Sequence, residues 1–314
     1  MRRVALLYNP VSGMRRERRV GDVEIAAAIF RNAGVEVEIV PTTTAGSAGA
    51  QARKAADQGC DSIIACGGDG TIHDVLQGLV STPTPLGLLP LGTGNALATD
   101  LRLSRDPAKA ARQLLTAQPT RIAVGKAEYT RGGAPTCRYF TVIAGVGADA
   151  MMLYSLNMEF KKRYGMTAYY AAAARLFAKY PFVPFEVELN GARERVYQLM
   201  AVRVQHFGGV LRRLAPEAGL HRNDLAFALF RSRSRLTYLM YVIRGFLQQR
   251  WHVPGVDVVH ATEAVCRPLP DVAPQALYAE ADGEVLGALP VRISIVPDAL
   301  TLLMPTSNLH SDRQ

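Results

Sequence analysis

The chain has 314 residues, of which 49% are hydrophobic and 20% charged, with a formal net charge of +9. This is an ordinary globular composition and not a disordered one, and the length suits roughly two domains. No apolar run approaches the roughly 20 residues of a membrane-spanning helix, since the longest, 236–247, is short and contains Arg244.

Read in chain order, Val4–Tyr8 is a buried strand. The Met1-Arg2-Arg3 start and the apolar run after it imitate a secretion signal, but Asn9-Pro10 ends the run early, so the chain is expected in the cytoplasm. Arg18–Arg31 reads as a helix closed by Asn32-Ala33-Gly34, Val35–Val40 as an alternating strand, and an Ala-rich helix ends near Gly59. Ser62–Cys66 is a third strand, Thr71–Val80 a helix, and Pro85–Leu89 a fourth strand before Gly92-Thr93-Gly94-Asn95. Repeated strand–helix units predict a parallel sheet with helices on both faces, whose ligands sit beyond the carboxyl ends of the strands. The boundary of this α/β domain falls near residue 121, with the C-terminal segment from about residue 300 returning to it.

From there the pattern becomes β-rich. Arg121–Tyr129, Cys137–Ala144, Phe185–Leu189, Val196–Gln205 and Leu225–Phe230 read as strands, followed by Val256–His260, Val265–Pro268, Ala276–Ala279 and Val291–Val296. Ala168–Lys179 and Leu236–Gln249 are the helical exceptions. Many short strands predict a sandwich over 122–299.

The chemistry concentrates where strands end. Gly67-Gly68-Asp69-Gly70 joins an apolar strand to a helix and places a carboxylate on a glycine-rich loop. There, backbone N–H groups and a helix N-terminus can hold phosphate. Asp69 is the first candidate for proton acceptor or metal-linked carboxylate, against a capping role at a helix start. The four cysteines (Cys60, Cys66, Cys137, Cys266) lack CxxC spacing and the six histidines lack an HExxH pair, which argues against a disulfide framework or a zinc hydrolase. The excess of Arg and Lys calls for an acidic partner. No nucleic-acid-reading motif accompanies it, so nucleotide phosphate or an anionic membrane is preferred over nucleic acid. Gly145-Val146-Gly147-Ala148-Asp149-Ala150 satisfies GxGxxA, but the basic and Ala-rich segment after it is not the βαβ unit a dinucleotide fold needs.

Taken together, Leu7-Tyr8-Asn9-Pro10-Val11-Ser12-Gly13, Gly67-Gly68-Asp69-Gly70-Thr71 and Pro90-Leu91-Gly92-Thr93-Gly94-Asn95-Ala96-Leu97-Ala98 resemble the catalytic domain of diacylglycerol and sphingosine lipid kinases. Gly145–Ala150, Lys161-Lys162-Arg163-Tyr164-Gly165 and Asp282-Gly283-Glu284 continue the resemblance in order over nearly the whole chain. It implies an α/β nucleotide-binding domain with a three-layer parallel sheet, like that of NAD kinase and diacylglycerol kinase, followed by a β-sandwich that takes the lipid. It further implies ATP with Mg2+ and transfer of the γ-phosphoryl to a lipid hydroxyl in phospholipid biosynthesis. Asp69, Asp282 and Glu284 would be catalytic or hold the metal, although an Asp-Gly turn is the alternative for the second pair. Asn9, Gly13, Thr42, Gly67, Gly68, Gly70, Thr71, Gly92, Thr93 and Asn95 would contact nucleotide, with a helix cap as the rival role for Thr42. Arg16, Arg18 and Lys162 or Arg163 could pair with phosphates, and Asp149 would orient the lipid head.

Diacylglycerol is the first-choice acceptor. His73-Asp74 and Asn95-Ala96 lean in style toward the sphingoid-base branch, although His73 could equally be a helix-surface residue. NAD kinase and a sensor without catalysis are the rivals from other classes. A lipid acceptor predicts peripheral docking on anionic membrane through basic and apolar surface around Arg231–Leu239, and a homodimer is allowed for.

Overall fold

The computed structural model describes residues 1–10, 16–44, 46–148, 150, 175, 177–207, 214–215, 217–273 and 277–306, without the side chains of Arg16 and Glu17. The chain divides into two compact units, one of Met1–Val124, His206–Gly209 and Pro297–Gln314, the other of Gly125–Gln205 and Val210–Val296. Among the described residues, no helix is long and apolar enough to cross a membrane.

The first unit is built on parallel strands in the order β2-β1-β3-β4-β16. These are β1 (Arg3–Tyr8), β2 (Glu36–Pro41), β3 (Ser62–Gly67), β4 (Leu86–Pro90) and the far end of β16 (Val291–Met304), which joins β4 at Leu302–Leu86. The strands β3 and β4 are buried along their whole length, as continuous apolar strands covered on both faces must be. Helices α1 (Arg16–Asn32) and α5 (Pro107–Leu115) pack together, and α2 (Ala48–Asp57) packs on α3 (Asp69–Leu79). The α2–α3 contact is close because Gly49 faces Gly78, where an added Cβ would lie 1.9 Å from the Gly49 carbonyl oxygen. The strand order reverses between β1 and β3, so the loops after these two strands open the crevice where α/β folds bind ligands.

The second unit is the antiparallel sandwich expected from the strand-rich sequence. One sheet has six strands, β12-β11-β10-β7-β14-β15. These are β7 (Ile143–Val146), β10 (Gln198–Val202), β11 (Leu225–Phe230), β12 (Val256–Ala261), β14 (Tyr278–Ala281) and β15 (Glu284–Ala288). The other sheet runs from the near end of β16 through β13 (Glu263–Pro268) and β8 (Phe185–Leu189) to β9 (Ala192–Val196). Phe140, Phe185, Val187, Leu199, Phe227, Cys266, Leu286 and Ile293 come from both sheets into one core. The hairpin of β5 (Gln118–Arg131) and β6 (Ala134–Phe140) pairs Gly125 with Phe140, whose ring lies over the glycine. Helix α6 (Arg235–Phe246) follows β11.

Several sequence expectations change. The strand read over Cys137–Ala144 is two, β6 and β7, interrupted at Thr141-Val142. The strand read over Val196–Gln205 is the shorter β10, and β9, β15, the short helix α4 (Ala96–Asp100) and α5 were not anticipated. Most of the helix read over Ala168–Lys179 lies outside the described residues.

Candidate active site

In the first unit, the loops that follow β3 and β4 lock together. Gly68 sits against Gly92, and a Cβ on Gly92 would come within 2.4 Å of the Gly68 Cα and 2.7 Å of Asn95 Oδ1. The Asn95 side chain accepts from Gly92 N at 3.1 Å and donates to Gly92 O at 2.7 Å, while its backbone takes the left-handed conformation at φ +59°. Leu91 N donates to Gly67 O at 2.9 Å. What approaches these glycines is thus, in large part, the partner loop.

Asp69 is the first residue of α3, but its carboxylate serves another helix. Oδ2 accepts from Asn95 N at 2.8 Å and Oδ1 from Ala96 N at 2.7 Å, so Asp69 caps α4 across 26 and 27 residues of sequence. Charge-assisted bonds of this kind are roughly twice as strong as neutral ones. The capping role foreseen for Asp69 is real, with the cap placed on α4.

The N-cap position of α3 is Gly68, which has no side chain to fold back over the first turn. Gly70, in its first turn, is exposed, and a Cβ added there would meet nothing within 4 Å. Open backbone at a helix N-terminus is where phosphate oxygens bind. Thr71 is buried, with its hydroxyl under Gly67, and Thr93 is exposed at the tip of the second loop. His73 is 0% exposed, which corrects the surface reading: it faces into the unit from α3.

The first and second loops of the unit are positioned by other means. Asn9 and Thr42 follow β1 and β2, and Thr42 N donates to Tyr8 O at 2.9 Å, extending the strand ladder. Thr42 caps no helix, because α2 begins at Ala48 behind Ser47. Arg19, 3% exposed on α1, donates to Asn9 O at 3.2 Å and to Leu91 O at 3.3 Å, so it ties the loop after β1 to the loop after β4. Burial pulls its guanidinium below the usual arginine range, against the attraction of Asp22. The sequence motifs did not single out Arg19. Its helical phase with Val23, Ala26, Ala27 and Phe30, all buried, was the available signal.

The second unit holds its own cluster. Asp282 and Gly283, at φ +48° and +85°, form the two-residue turn that joins β14 to β15. Both positive φ values mark the hairpin type that Asp-Gly favours. The Asp282 carboxylate accepts from Thr141 N at 2.9 Å, Val142 N at 2.9 Å and Ile143 N at 3.0 Å, with the Thr141 hydroxyl at 3.5 Å. Those donors are exposed to it because the chain breaks between β6 and β7. Asp282 N donates back to Ile143 O at 2.8 Å, and buried Glu280 accepts from Gly283 N at 3.0 Å. Glu284, half-buried, opens β15. The Thr141–Ile143 backbone was not foreseen, because a fold contact across about 140 residues leaves no local signature, and Glu280, only three residues from its Gly283 donor, was passed over.

The structure therefore brings Gly67, Gly68, Asp69, Gly70, Thr71, Gly92, Thr93 and Asn95 together in one unit, with Asn9 tied to the second loop through Arg19, and Asp282 with Glu284 in the other. Gly13, Asp149, Lys162 and Arg163 lie outside the described residues, and Arg18 is exposed on α1. Among the described residues, no three His, Cys, Asp or Glu side chains converge as metal ligands.

Comparison with known proteins agrees with this fold. Residues 3–127 match the diacylglycerol kinase catalytic domain, and residues 141–304 match the YegS C-terminal NAD kinase beta sandwich-like domain. A diacylglycerol kinase of Bacillus subtilis is 33% identical over 239 residues, 73% of each chain. One of Mycobacterium tuberculosis is 29% identical over 311 residues, 96% of this chain and 95% of the relative. The crystal structure of a diacylglycerol kinase from Bacillus anthracis superposes with a TM-score of 0.69 at 18% identity over 97% of both chains. Yeast NADH kinase complexed with NADH gives 0.51 at 10% identity over 98% of this chain and 84% of its own. At such identities the two solved structures speak to the fold.

Proposed function

The chain belongs to the diacylglycerol kinase family, and from that premise we propose that it transfers the γ-phosphoryl of ATP to the hydroxyl of a diacylglycerol or a closely related lipid. The observation that carries this reading is the first turn of α3, begun by a glycine at the N-cap and open at exposed Gly70 beside the interlocked glycine loops. Such a turn supplies N–H donors and a positive dipole end to phosphate oxygens.

In this reading the backbone of Gly68 and Gly70 cradles phosphate, with Asn9, Gly13, Thr42 and Thr93 as further nucleotide contacts. Gly67, Thr71, Gly92 and Asn95 hold that loop pair in shape, and Asp69 fixes one loop against the other. Rigid placement is most of what phosphoryl transfer asks of a protein. Mg2+ keeps waters and phosphate oxygens and takes only one or two carboxylates, so it asks for no larger ligand cluster from the protein. Asp69, on the loop that opens α3, is the carboxylate we assign to it. When bound, the ion neutralises charge on the transferring phosphoryl group.

On the acceptor side, Glu284 takes the proton from the lipid hydroxyl, and Asp282 positions it by holding the turn. Asp149 orients the polar head of the lipid, which the chain meets at a membrane surface.

The test is transfer of labelled γ-phosphate from Mg-ATP to diacylglycerol, sphingosine, ceramide, phosphatidylglycerol and NAD, with Glu284→Gln and Asp69→Ala alongside. Label on diacylglycerol that both variants lose is the expected result. Label on sphingosine or ceramide moves the chain to the other lipid branch. Label on NAD alone, or on nothing, overturns the reading.

A further inference from the structure

Helix α6 reverses the usual orientation of a surface helix. Tyr241 and Arg244 point inward: Tyr241 is fully buried, and its hydroxyl and the Arg244 guanidinium both donate to Leu214 O at 2.8 Å. The Arg244 guanidinium also lies 4.4 Å from the centre of the Tyr241 ring, which meets Phe230 edge-on at 5.0 Å. Its apolar residues point outward: Leu236, Leu239, Ile243 and Phe246 are 62%, 48%, 41% and 46% exposed. Spacings of three and four place them in one stripe along the helix. Leu247 and Trp251 extend the exposed apolar surface past its end. A contiguous apolar stripe facing water marks a docking surface.

The charge around the stripe identifies what docks. Between Arg231 and Val256 the chain contains five arginines and no Asp or Glu. Arg231 is held by Glu194 and Asp257, and Arg244 is buried. Arg233, Arg235 and Arg250 are exposed at the two ends of the helix, and none has a carboxylate partner among the described residues. Two copies joined through this face would bring like charges together without a counter-charge. An anionic bilayer meets both requirements: its headgroup phosphates take the arginines, and its acyl boundary takes the stripe.

We propose that α6, with Leu247 and Trp251, is the face through which this protein docks on anionic phospholipid membrane. The inference deepens the lipid-acceptor reading and rests on it for its purpose. The helix lies in the plane of the interface, held from behind by Tyr241 and Arg244, so the stripe is presented without rearrangement of the unit.

Trp251 is the sole tryptophan of the chain, which makes it a built-in reporter. The full chain is mixed with vesicles of phosphatidylcholine, with or without phosphatidylglycerol. Binding is read by sedimentation, and Trp251 burial by its emission and by quenching from brominated lipid. Anionic vesicles are expected to shift the emission to the blue and to bind the protein more tightly than neutral ones. Leu239→Glu/Ile243→Glu is expected to weaken binding about a hundredfold, with its far-UV dichroism and melting curve unchanged because both side chains are exposed. Arg233→Gln/Arg250→Gln is expected to abolish most of the preference for anionic vesicles while the stripe remains. Phosphorylation of a short-chain diacylglycerol dissolved as monomers should be the same in all three proteins. Vesicle binding needs no catalysis, so it decides the docking, whereas the soluble acceptor decides the kinase reading. Three results would overturn the proposal: equal binding by the Glu variant, Trp251 emission indifferent to vesicles, or a wild-type dimer that the Glu variant dissolves.

Discussion

At the residue scale, Gly92 and Gly70 separate two reasons for a glycine. Gly92→Ala would drive a Cβ into Gly68, and we expect it to cost about 2–4 kcal/mol in a urea melt. Gly70→Ala meets open space on a helix, so stability should hold or rise by up to about 1 kcal/mol. If phosphate rests on that backbone, the same variant raises the KM for ATP at least tenfold, read by steady-state kinetics. The turn carboxylates divide in the same way. Asp282→Asn leaves backbone donors of Thr141, Val142 and Ile143 short of an acceptor and should lose about 1–3 kcal/mol. Glu284→Gln should melt like the parent yet lose about a hundredfold or more in kcat. Equal stability loss in both would remove the distinction. Asp69 and the Gly-Gly-Asp-Gly loop were legible from sequence because a strand, glycines and a helix meet within a few residues. The α4 backbone that Asp69 holds was not, because nothing local to Asp69 encodes it.

At the element scale, periodicity identified β8 and β11 to the residue, since uninterrupted apolar or alternating runs suit only one state. It failed where one apolar run held two strands, as at Thr141-Val142, where a bend rather than a change in polarity ends β6. The α5 start, Asp106 with Pro107 at the first position, is a standard helix signal that reading for strands passed over; Lys109 N donates to the Asp106 carboxylate at 2.8 Å. Glycine in a helix ordinarily costs stability, yet α2 and α3 keep Gly49 and Gly78 where they touch. Gly78→Ala should therefore destabilise by about 3 kcal/mol despite the better helix former, because the Cβ meets backbone that cannot yield. A melting temperature equal to the parent's would refute that packing argument.

At the scale of the whole molecule, the core contains ionisable groups that oppose alkaline pH. Burial pushes the Cys266 thiol up to about 12, partly offset by Arg267, and raises Cys66 further still. Below the ordinary thiol value near 9.0 neither group affects the pH slope. Above it the unfolded chain releases protons that the folded chain keeps, so stability falls with rising pH until the folded thiols ionise. Each thiol contributes a slope of about 1.4 kcal/mol per pH unit in that window. Urea midpoints at about pH 8 and about pH 10 measure it, and Cys266→Ala should reduce the slope by one thiol's share. An unchanged slope would place the alkaline sensitivity elsewhere.

The sequence by itself determined the order of elements, the parallel α/β unit, the β-rich sandwich and the family, because each is written in runs of neighbouring residues: period, turn chemistry and strand-end motifs. It also placed the glycine loops and the Asp-Gly-Glu turn. Tertiary structure decided what those residues do. It turned the Asp69 carboxylate onto α4, gave Asp282 three backbone donors from the break before β7, and drew Arg19 inward to hold two loops. It also decided which face of α6 looks outward, where composition alone shows only a mixture of Leu, Tyr and Arg. Partners far apart in sequence are chosen by packing and by the demand that buried polar groups be satisfied, and neither leaves a pattern among neighbours.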